Sequence, residues 1–151
     1  MKIVRSAEAA WQNAVSHGAF EGRRKELGGT KLSCGLWELP PGKKSFPLHR
    51  HHVAEEALFV MSGKAKVRTS EGESAIGPGD FVSFPAGGVA HQLINDGAET
   101  LVYLAISNPG GVDIVEYPDS GKVASSVGSG PDRKRFVFKA DKQADYWDGE
   151  S

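Results

Sequence analysis

The chain has 151 residues, of which 39% are apolar and 25% are charged. This length is typical of one domain, and the balance of apolar and charged residues excludes an intrinsically disordered chain. The formal net charge of −1 excludes a strongly basic nucleic-acid-binding protein and provides no attraction to anionic membranes.

Cysteine content and the apolar runs narrow the class further. Cys34 is the single cysteine, so the chain cannot form an internal disulfide or a Cys-x-x-Cys zinc motif. Residues 1–11 lack the apolar segment of a signal peptide, and the longest apolar run, 101–106, has the length of a strand rather than of a membrane span. We therefore expect a cytoplasmic protein that binds neither membranes nor nucleic acid.

Residues 1–29 form a predicted N-terminal arm. Ser6 can cap a short helix that continues to Trp11, because Ala and Glu favour the first helical turns. Residues 17–29 contain four glycines and five charged side chains, which predicts a surface loop. Its Arg23-Arg24-Lys25 run is interpreted as a solvated face, or as a phosphate-binding group if the loop folds over a site.

From Thr30 onward, short β-branched and aromatic runs alternate with Gly, Pro and Asp. This pattern predicts an all-β sandwich or barrel. A hairpin is predicted around Ser62-Gly63-Lys64, where glycine supplies the turn conformation. The predicted strands are 30–39, 45–51, 56–61, 64–69, 74–76, 81–84, 91–94 and 100–107.

The last third of the chain is predicted to be an extension of this unit. Strands are predicted at 112–117 and 135–139, and the Ser/Gly-rich residues 118–131 predict a loop between them. The Arg133-Lys134-Arg135 run has the same two interpretations as the basic run of the arm. Tyr146 and Trp147 are adjacent aromatics in a polar tail, so we expect them to dock onto the body or a neighbouring molecule.

Four of the five histidines fall in two short segments. Residues two apart on a strand share a face, so His49 and His51 point the same way. Glu56 begins the next predicted strand and can turn its carboxylate toward the same point, and His91 lies in a later strand. Three imidazoles and one carboxylate form a mixed ligand set for a first-row transition metal, with up to two octahedral positions open for water or substrate.

The spacing of these residues resembles the two sequence motifs of the cupin family. The first motif is Gly42…His49-x-His51-x4-Glu56-x6-Gly63, and the second is Gly79-x5-Pro85-x-Gly87…His91-x3-Asn95. The resemblance implies an all-β, cupin-type double-stranded β-helix, or jelly-roll barrel, over the single domain 1–151. Its core is expected at about 30–107, between the arm 1–29 and the extension 108–151.

The same resemblance implies the ligand set of a metal site. His49, His51, Glu56 and His91 are the expected ligands of one divalent transition metal ion. The identity of the ion is left open among zinc, nickel, iron and manganese. Glu55 would replace Glu56 only if the spacing slipped by one residue.

Residues 115–123 and 145–150 resemble the C-terminal extension of small bacterial cupins that carry the label of sugar-phosphate isomerases. This resemblance favours a metal-dependent isomerase or epimerase that acts on a small sugar or sugar phosphate. Two alternatives remain open: an iron-dependent dioxygenase and a non-catalytic barrel that binds a small molecule. Fold-level resemblance does not choose among the three.

The remaining predictions concern proton transfer, the cysteine and the binding partners. Glu38, His52 and Tyr103 are the candidates for a catalytic proton-transfer group. Cys34 is interpreted as a small buried side chain rather than a reactive thiol. The partner is expected to be a small-molecule ligand or substrate, and a homodimer is expected from the resemblance and from the frequency of two-fold oligomers.

Overall fold

The computed structural model describes residues 1–29, 31–108, 110–128 and 132–150. These residues form almost entirely antiparallel β structure, which confirms the predicted all-β class. One turn of 3₁₀ helix lies at Pro118–Ser120. The strands are β1 Gln12–His17, β2 Phe20–Gly28, β3 Ser33–Leu39, β4 Arg50–His51, β5 Glu56–Ser62, β6 Ala65–Thr69, β7 Gly72–Ile76, β8 Phe81–Phe84, β9 His91–Ile94, β10 Leu101–Ser107, β11 Val112–Tyr117, β12 Lys122–Val127 and β13 Lys134–Lys139.

Three sheets enclose the interior. The largest has the order β1-β2-β3-β10-β5-β8, and the others have the orders β13-β12-β11-β4 and β7-β6-β9. An isolated antiparallel bridge between His49 and His91 joins the edge of β4 to the start of β9. Because of this bridge, the two smaller sheets form one continuous layer that lies opposite the six-stranded sheet.

The apolar core fills one end of the space between the layers. Strands β3, β5 and β10 contribute alternate side chains to it, and β6, β7 and β9 contribute from the opposite layer. The alternation follows from the two-residue period of a strand, which sends every second side chain inward. The buried members are Trp37, Leu39, Leu58, Val60, Ala65, Val67, Ile76, Leu93, Leu101 and Tyr103.

The chain changes layers at Gly63, where the sequence predicted a hairpin. That prediction is wrong, because β5 pairs with β8 and β10, whereas β6 pairs with β7 and β9. Gly63 has a φ of +80°, and a Cβ on it would lie 2.7 Å from the carbonyl oxygen of Thr100. The glycine therefore serves a sharp corner between sheets. A hairpin is formed instead by the next two strands, β6 and β7, between the two cupin motifs.

The N-terminal arm differs from its prediction in two places. Residues 6–8 form a turn and not a helix, and most of the predicted loop 17–29 is strand β2. The glycine-rich segment becomes a strand because it pairs with β1 on one side and β3 on the other. The sheet therefore extends into the arm, beyond the predicted core. Thr30, the predicted start of the core, lies outside the described residues.

The predicted loop 118–131 is wrong at residues 122–127. It contains strand β12, which pairs with β11 and β13. Its last residues, 129–131, lie outside the described residues. Tyr146 and Trp147 are 82% and 71% exposed, so they do not dock onto the body, and their contact with a neighbour remains a prediction. No helix in the described segments is long and apolar enough to span a membrane.

Replacement of Gly63 by alanine is expected to destabilise the fold by more than backbone strain alone. A matched control is Gly79→Ala, because Gly79 has a similar φ of +93° but no atom within 4 Å of the position that a Cβ would take. The control isolates the strain of a positive φ, about 1–3 kcal/mol. We expect Gly63→Ala to lower the free energy of unfolding in urea by at least about 1 kcal/mol more than Gly79→Ala. An equal loss of unfolding free energy in the two variants would contradict the close packing of Gly63 against Thr100.

Candidate metal centre

Three histidine side chains surround one carboxylate oxygen. The Oε2 atom of Glu56 lies 3.6 Å from Nε2 of His49, 3.4 Å from Nε2 of His51 and 3.3 Å from Nε2 of His91. The histidine side chains are only 10–17% exposed, while that of Glu56 is 31% exposed. The structure therefore brings together all four residues that the sequence predicted as metal ligands.

A backbone bridge between His49, just before β4, and His91, at the start of β9, brings two of these histidines into register. The amide of His49 donates to the carbonyl of His91 at 3.1 Å, and the amide of His91 donates back at 2.8 Å. Residues paired in this way project their side chains from the same face, and the two imidazole centroids are 4.7 Å apart. Phe84 stacks on the His91 ring at 3.7 Å and limits its rotation.

Hydrogen bonds at the remote ring nitrogens fix the protonation of two imidazoles. Nδ1 of His49 lies 2.8 Å from the carbonyl oxygen of Pro47, which can only accept, so this nitrogen carries the proton. Nδ1 of His51 contacts the carboxylate of Asp113. In the neutral imidazole, each of these arrangements leaves the lone pair on Nε2, directed at Glu56.

Asp113 is itself held by the backbone. It is 4% exposed, and its Oδ1 atom accepts from the amides of Val53 at 3.1 Å and Ala54 at 3.4 Å. A carboxylate that orients a histidine from behind is the common second partner of a metal-bound imidazole. Sequence reasoning misses Asp113, because it lies 62 residues from His51 and meets it only when β11 pairs with β4.

The donor set fits a cation. The Nε2 atoms of His49 and His51 lie 3.4–3.6 Å from Oε2 of Glu56. The protons of both neutral imidazoles are on Nδ1, where they are hydrogen-bonded on the opposite side of the ring. Such an arrangement is repulsive unless a positive charge lies at its centre. In addition, Nδ1 of His91 is buried without a hydrogen-bond partner among the described residues. The chemistry of nitrogen and carboxylate donors suits a divalent transition metal.

The electrostatics of the cluster favour an ionised Glu56 carboxylate and a neutral His91 imidazole. Burial raises the pKa of Glu56, but contacts with His49 and His91 and the charges of the histidines lower it further, leaving it well below its ordinary value. Burial is also the main reason why the pKa of His91 lies below its ordinary value, against the opposing effect of Glu56. A neutral imidazole and an ionised carboxylate are the forms that bind metals.

The cluster lies at the wall of a cavity of about 870 Å³ between the six-stranded and four-stranded sheets. Aromatic rings from β3, β10 and β11 line it, contributed by Trp37, Tyr103 and Tyr117. Tyr117 stacks near His49, with ring centroids 6.2 Å apart. The cavity is large enough for a small-molecule substrate next to the cluster.

The structure separates the three candidates for proton transfer. Glu38 does not line the cavity, since its Oε2 atom pairs with Nε of Arg23 at 2.5 Å. His52 faces away as well, and its Nε2 atom lies 2.9 Å from Oε1 of Glu116. Tyr103 lines the cavity. Burial, together with the charge of Glu56, raises the pKa of Tyr103 above its ordinary value, so its hydroxyl remains a donor.

Two further interpretations can be compared with the structure. Glu55 is exposed, and its amide donates to Oδ1 of Asn108 at 2.6 Å, outside the histidine cluster. Cys34 is half-buried, and burial followed by the nearby charge of Glu26 raises the pKa of its thiol. A raised pKa opposes thiolate formation, as expected for a structural cysteine.

Comparison with known proteins identifies the family. Residues 35–107 match the family model described as the cupin domain. A crystal structure from Acidithiobacillus ferrooxidans, named "Putative sugar phosphate isomerase", is 34% identical with a TM-score of 0.71, and the match covers 81% of this chain and 80% of that one. The chain therefore belongs to the cupin superfamily, and the predicted family and barrel fold are confirmed.

Two more relatives show how far the similarity extends. A sugar phosphate isomerase structure from Silicibacter pomeroyi has a TM-score of 0.80 at 22% identity and covers 96% of this chain and 97% of that one, which shows a common fold. Germin-like protein subfamily 3 member 1 of Arabidopsis thaliana is 33% identical over 65% of this chain. The chain spans 50% of the length of that plant protein. Cupins commonly bind a metal, in agreement with the donor set.

The tautomer of His51 is expected to depend on Asp113. In Asp113→Asn, the amide oxygen can serve the backbone donors of Val53 and Ala54 only by turning its NH₂ group toward the imidazole. His51 should then carry its proton on Nε2, which blocks the lone pair. Nitrogen-15 NMR of the metal-free protein at about pH 8, where imidazoles are neutral, distinguishes the tautomers.

The matched control for this experiment is Glu116→Gln, which alters the carboxylate partner of the adjacent His52. It should leave the His51 signals unchanged. The same His51 tautomer in the wild type and in Asp113→Asn would contradict the proposed orienting role of Asp113.

Proposed function

We propose that this cupin is a metal-dependent enzyme that isomerises or epimerises a small sugar or sugar phosphate. The observation that carries the proposal is the convergence of the Glu56 carboxylate and the histidine nitrogens at the wall of a substrate-sized cavity. Support for the reaction class comes from the name of the Acidithiobacillus ferrooxidans relative. The same observations support a small-molecule substrate over a macromolecular one.

In this proposal, His49, His51, Glu56 and His91 hold one divalent ion of zinc, nickel, iron or manganese. The bound ion supplies Lewis-acid chemistry, which polarises a carbonyl or hydroxyl oxygen and stabilises the negative charge of an enediolate. His49 and His51 donate their remote protons to Pro47 and Asp113, so their Nε2 atoms stay available to the ion.

Tyr103 has a distinct role in the proposed reaction. Its buried hydroxyl remains protonated and lines the cavity near Glu56, so it donates a hydrogen bond or a proton to a substrate oxygen. Glu38 and His52 are excluded from this role by their positions and ion pairs outside the cavity.

The proposal predicts isomerase activity that needs the metal but no oxygen. A panel of aldose and ketose sugars and their phosphates is assayed under anaerobic conditions with three samples: the purified protein, the chelator-treated protein and the protein with its metal restored. We expect turnover by the purified and the restored protein. The chelator-treated protein should lose activity at least 100-fold, since Lewis-acid stabilisation contributes several kcal/mol.

His51→Ala and Glu56→Ala are expected to cause the same loss as the chelator. The matched control is His52→Ala, which removes the adjacent imidazole outside the cavity and should retain activity within about twofold. Consumption of oxygen by iron-loaded protein would instead support a dioxygenase. Stabilisation by sugars without turnover would support a binding barrel, and either result would overturn the isomerase proposal.

A further inference from the structure

Basic side chains from two distant parts of the chain line the cavity beside the histidine cluster. Arg24 comes from β2, Lys122 from the start of β12, and Arg135 from β13, and all three line the cavity, as does Arg133. The carboxylates among the lining residues are Glu26 and Glu56. The cavity therefore has an excess of cations, although the whole chain has a net charge of −1.

Strand alternation selects which basic residues enter the cavity. On β13, Arg133 precedes the strand and Arg135 lies within it, and both line the cavity, whereas Lys134 between them does not. On β2, Arg24 lines the cavity, whereas Arg23 pairs with Glu38 outside it. Each basic run therefore contains a second cation, Arg23 or Lys134, that lies next to a cavity-lining arginine but does not line the cavity.

The cations are held in place mainly by neutral partners. Arg135 donates to the hydroxyl of Tyr117, and Nη2 of Arg133 donates to Oγ of Ser126 at 3.0 Å. Within the described segments, neither guanidinium nor the Lys122 ammonium forms an ion pair, while Arg24 lies 3.5 Å from Glu26. A cation without a carboxylate partner is suited to bind an anion.

Tyr117 connects this basic group to the histidine cluster. Its ring centroid is 6.2 Å from that of His49, 5.9 Å from Cζ of Arg135 and 5.7 Å from Nζ of Lys122. Arg135 and Lys122 therefore lie one aromatic ring away from His49, a proposed metal ligand. This separation suits a short molecule with an oxygen at the metal and an anionic group at its other end.

We propose that Arg24, Lys122, Arg133 and Arg135 form a phosphate-binding group, so that the substrate is a phosphate monoester and not a neutral sugar. This inference rests on the proposed function and narrows its substrate class. Arginine binds phosphate with two parallel hydrogen bonds, and several cations match the double charge of the group. The C-terminal strand β13 is then part of the substrate site.

The test measures binding of glycerol 3-phosphate and of glycerol to the purified protein by calorimetry. Glycerol 3-phosphate should bind at least 10-fold more tightly than glycerol. Arg24→Gln and Arg135→Gln should each raise its Kd about 10-fold or more, since each removes a charge-assisted contact. The matched controls Arg23→Gln and Lys134→Gln should change the Kd by less than twofold, with thermal melts confirming that every variant is folded.

His51→Ala separates this proposal from the metal proposal. The His51→Ala variant should still bind glycerol 3-phosphate through the basic group, although it is expected to lose isomerase activity. Equal effects of the cavity variants and their controls would overturn the phosphate site. The phosphate site would also be overturned if His51→Ala lost glycerol 3-phosphate binding while the arginine variants kept it, because the phosphate would then be bound by the metal. Equal affinity of wild type for glycerol and its phosphate would do the same.

Discussion

The mutual approach of imidazole lone pairs and a carboxylate oxygen is the constraint on which the other features of the site depend. Glu56 is ionised, and the rings of His49 and His51 direct unprotonated nitrogens toward it because their protons are engaged elsewhere. A shared cation stabilises lone pairs and a carboxylate that lie at such distances from one another. The fold must therefore hold the donors in place, and the backbone bridge between His49 and His91 does so within one sheet layer.

The C-terminal extension contributes residues to the site itself. β11 supplies Asp113, which orients His51 from behind, and Tyr117, whose ring lies beside His49. β13 brings Arg135 to the same cavity, against the Tyr117 hydroxyl. One strand thus positions a proposed ligand, while the other supplies charge for the proposed substrate. Residues 1–107 alone would keep the four donor residues but lose the carboxylate behind His51 and the part of the cavity wall that contains Tyr117 and Arg135.

The sequence predicted the parts of this structure that are coded by short-range spacing. Short β-branched and aromatic runs between turn residues indicated the β class, and the cupin spacing grouped His49, His51, Glu56 and His91 as they are grouped in space. Contacts between distant strands were not accessible. Residues 17–29 become strand β2 because they pair with β1 and β3, despite a composition typical of loops. The corner between layers likewise depends on pairing partners that local sequence does not specify.

The central claim is that four side chains hold one transition metal ion, and X-ray absorption at the edge of the bound metal tests it most directly. Elemental analysis of protein purified without a histidine tag first identifies the ion and its stoichiometry. We predict about one ion per chain, with nitrogen and oxygen ligands at roughly 2.0–2.2 Å and the multiple-scattering signature of three imidazoles. Protein that takes up no metal on reconstitution, or a metal bound without imidazole, would contradict the assigned site.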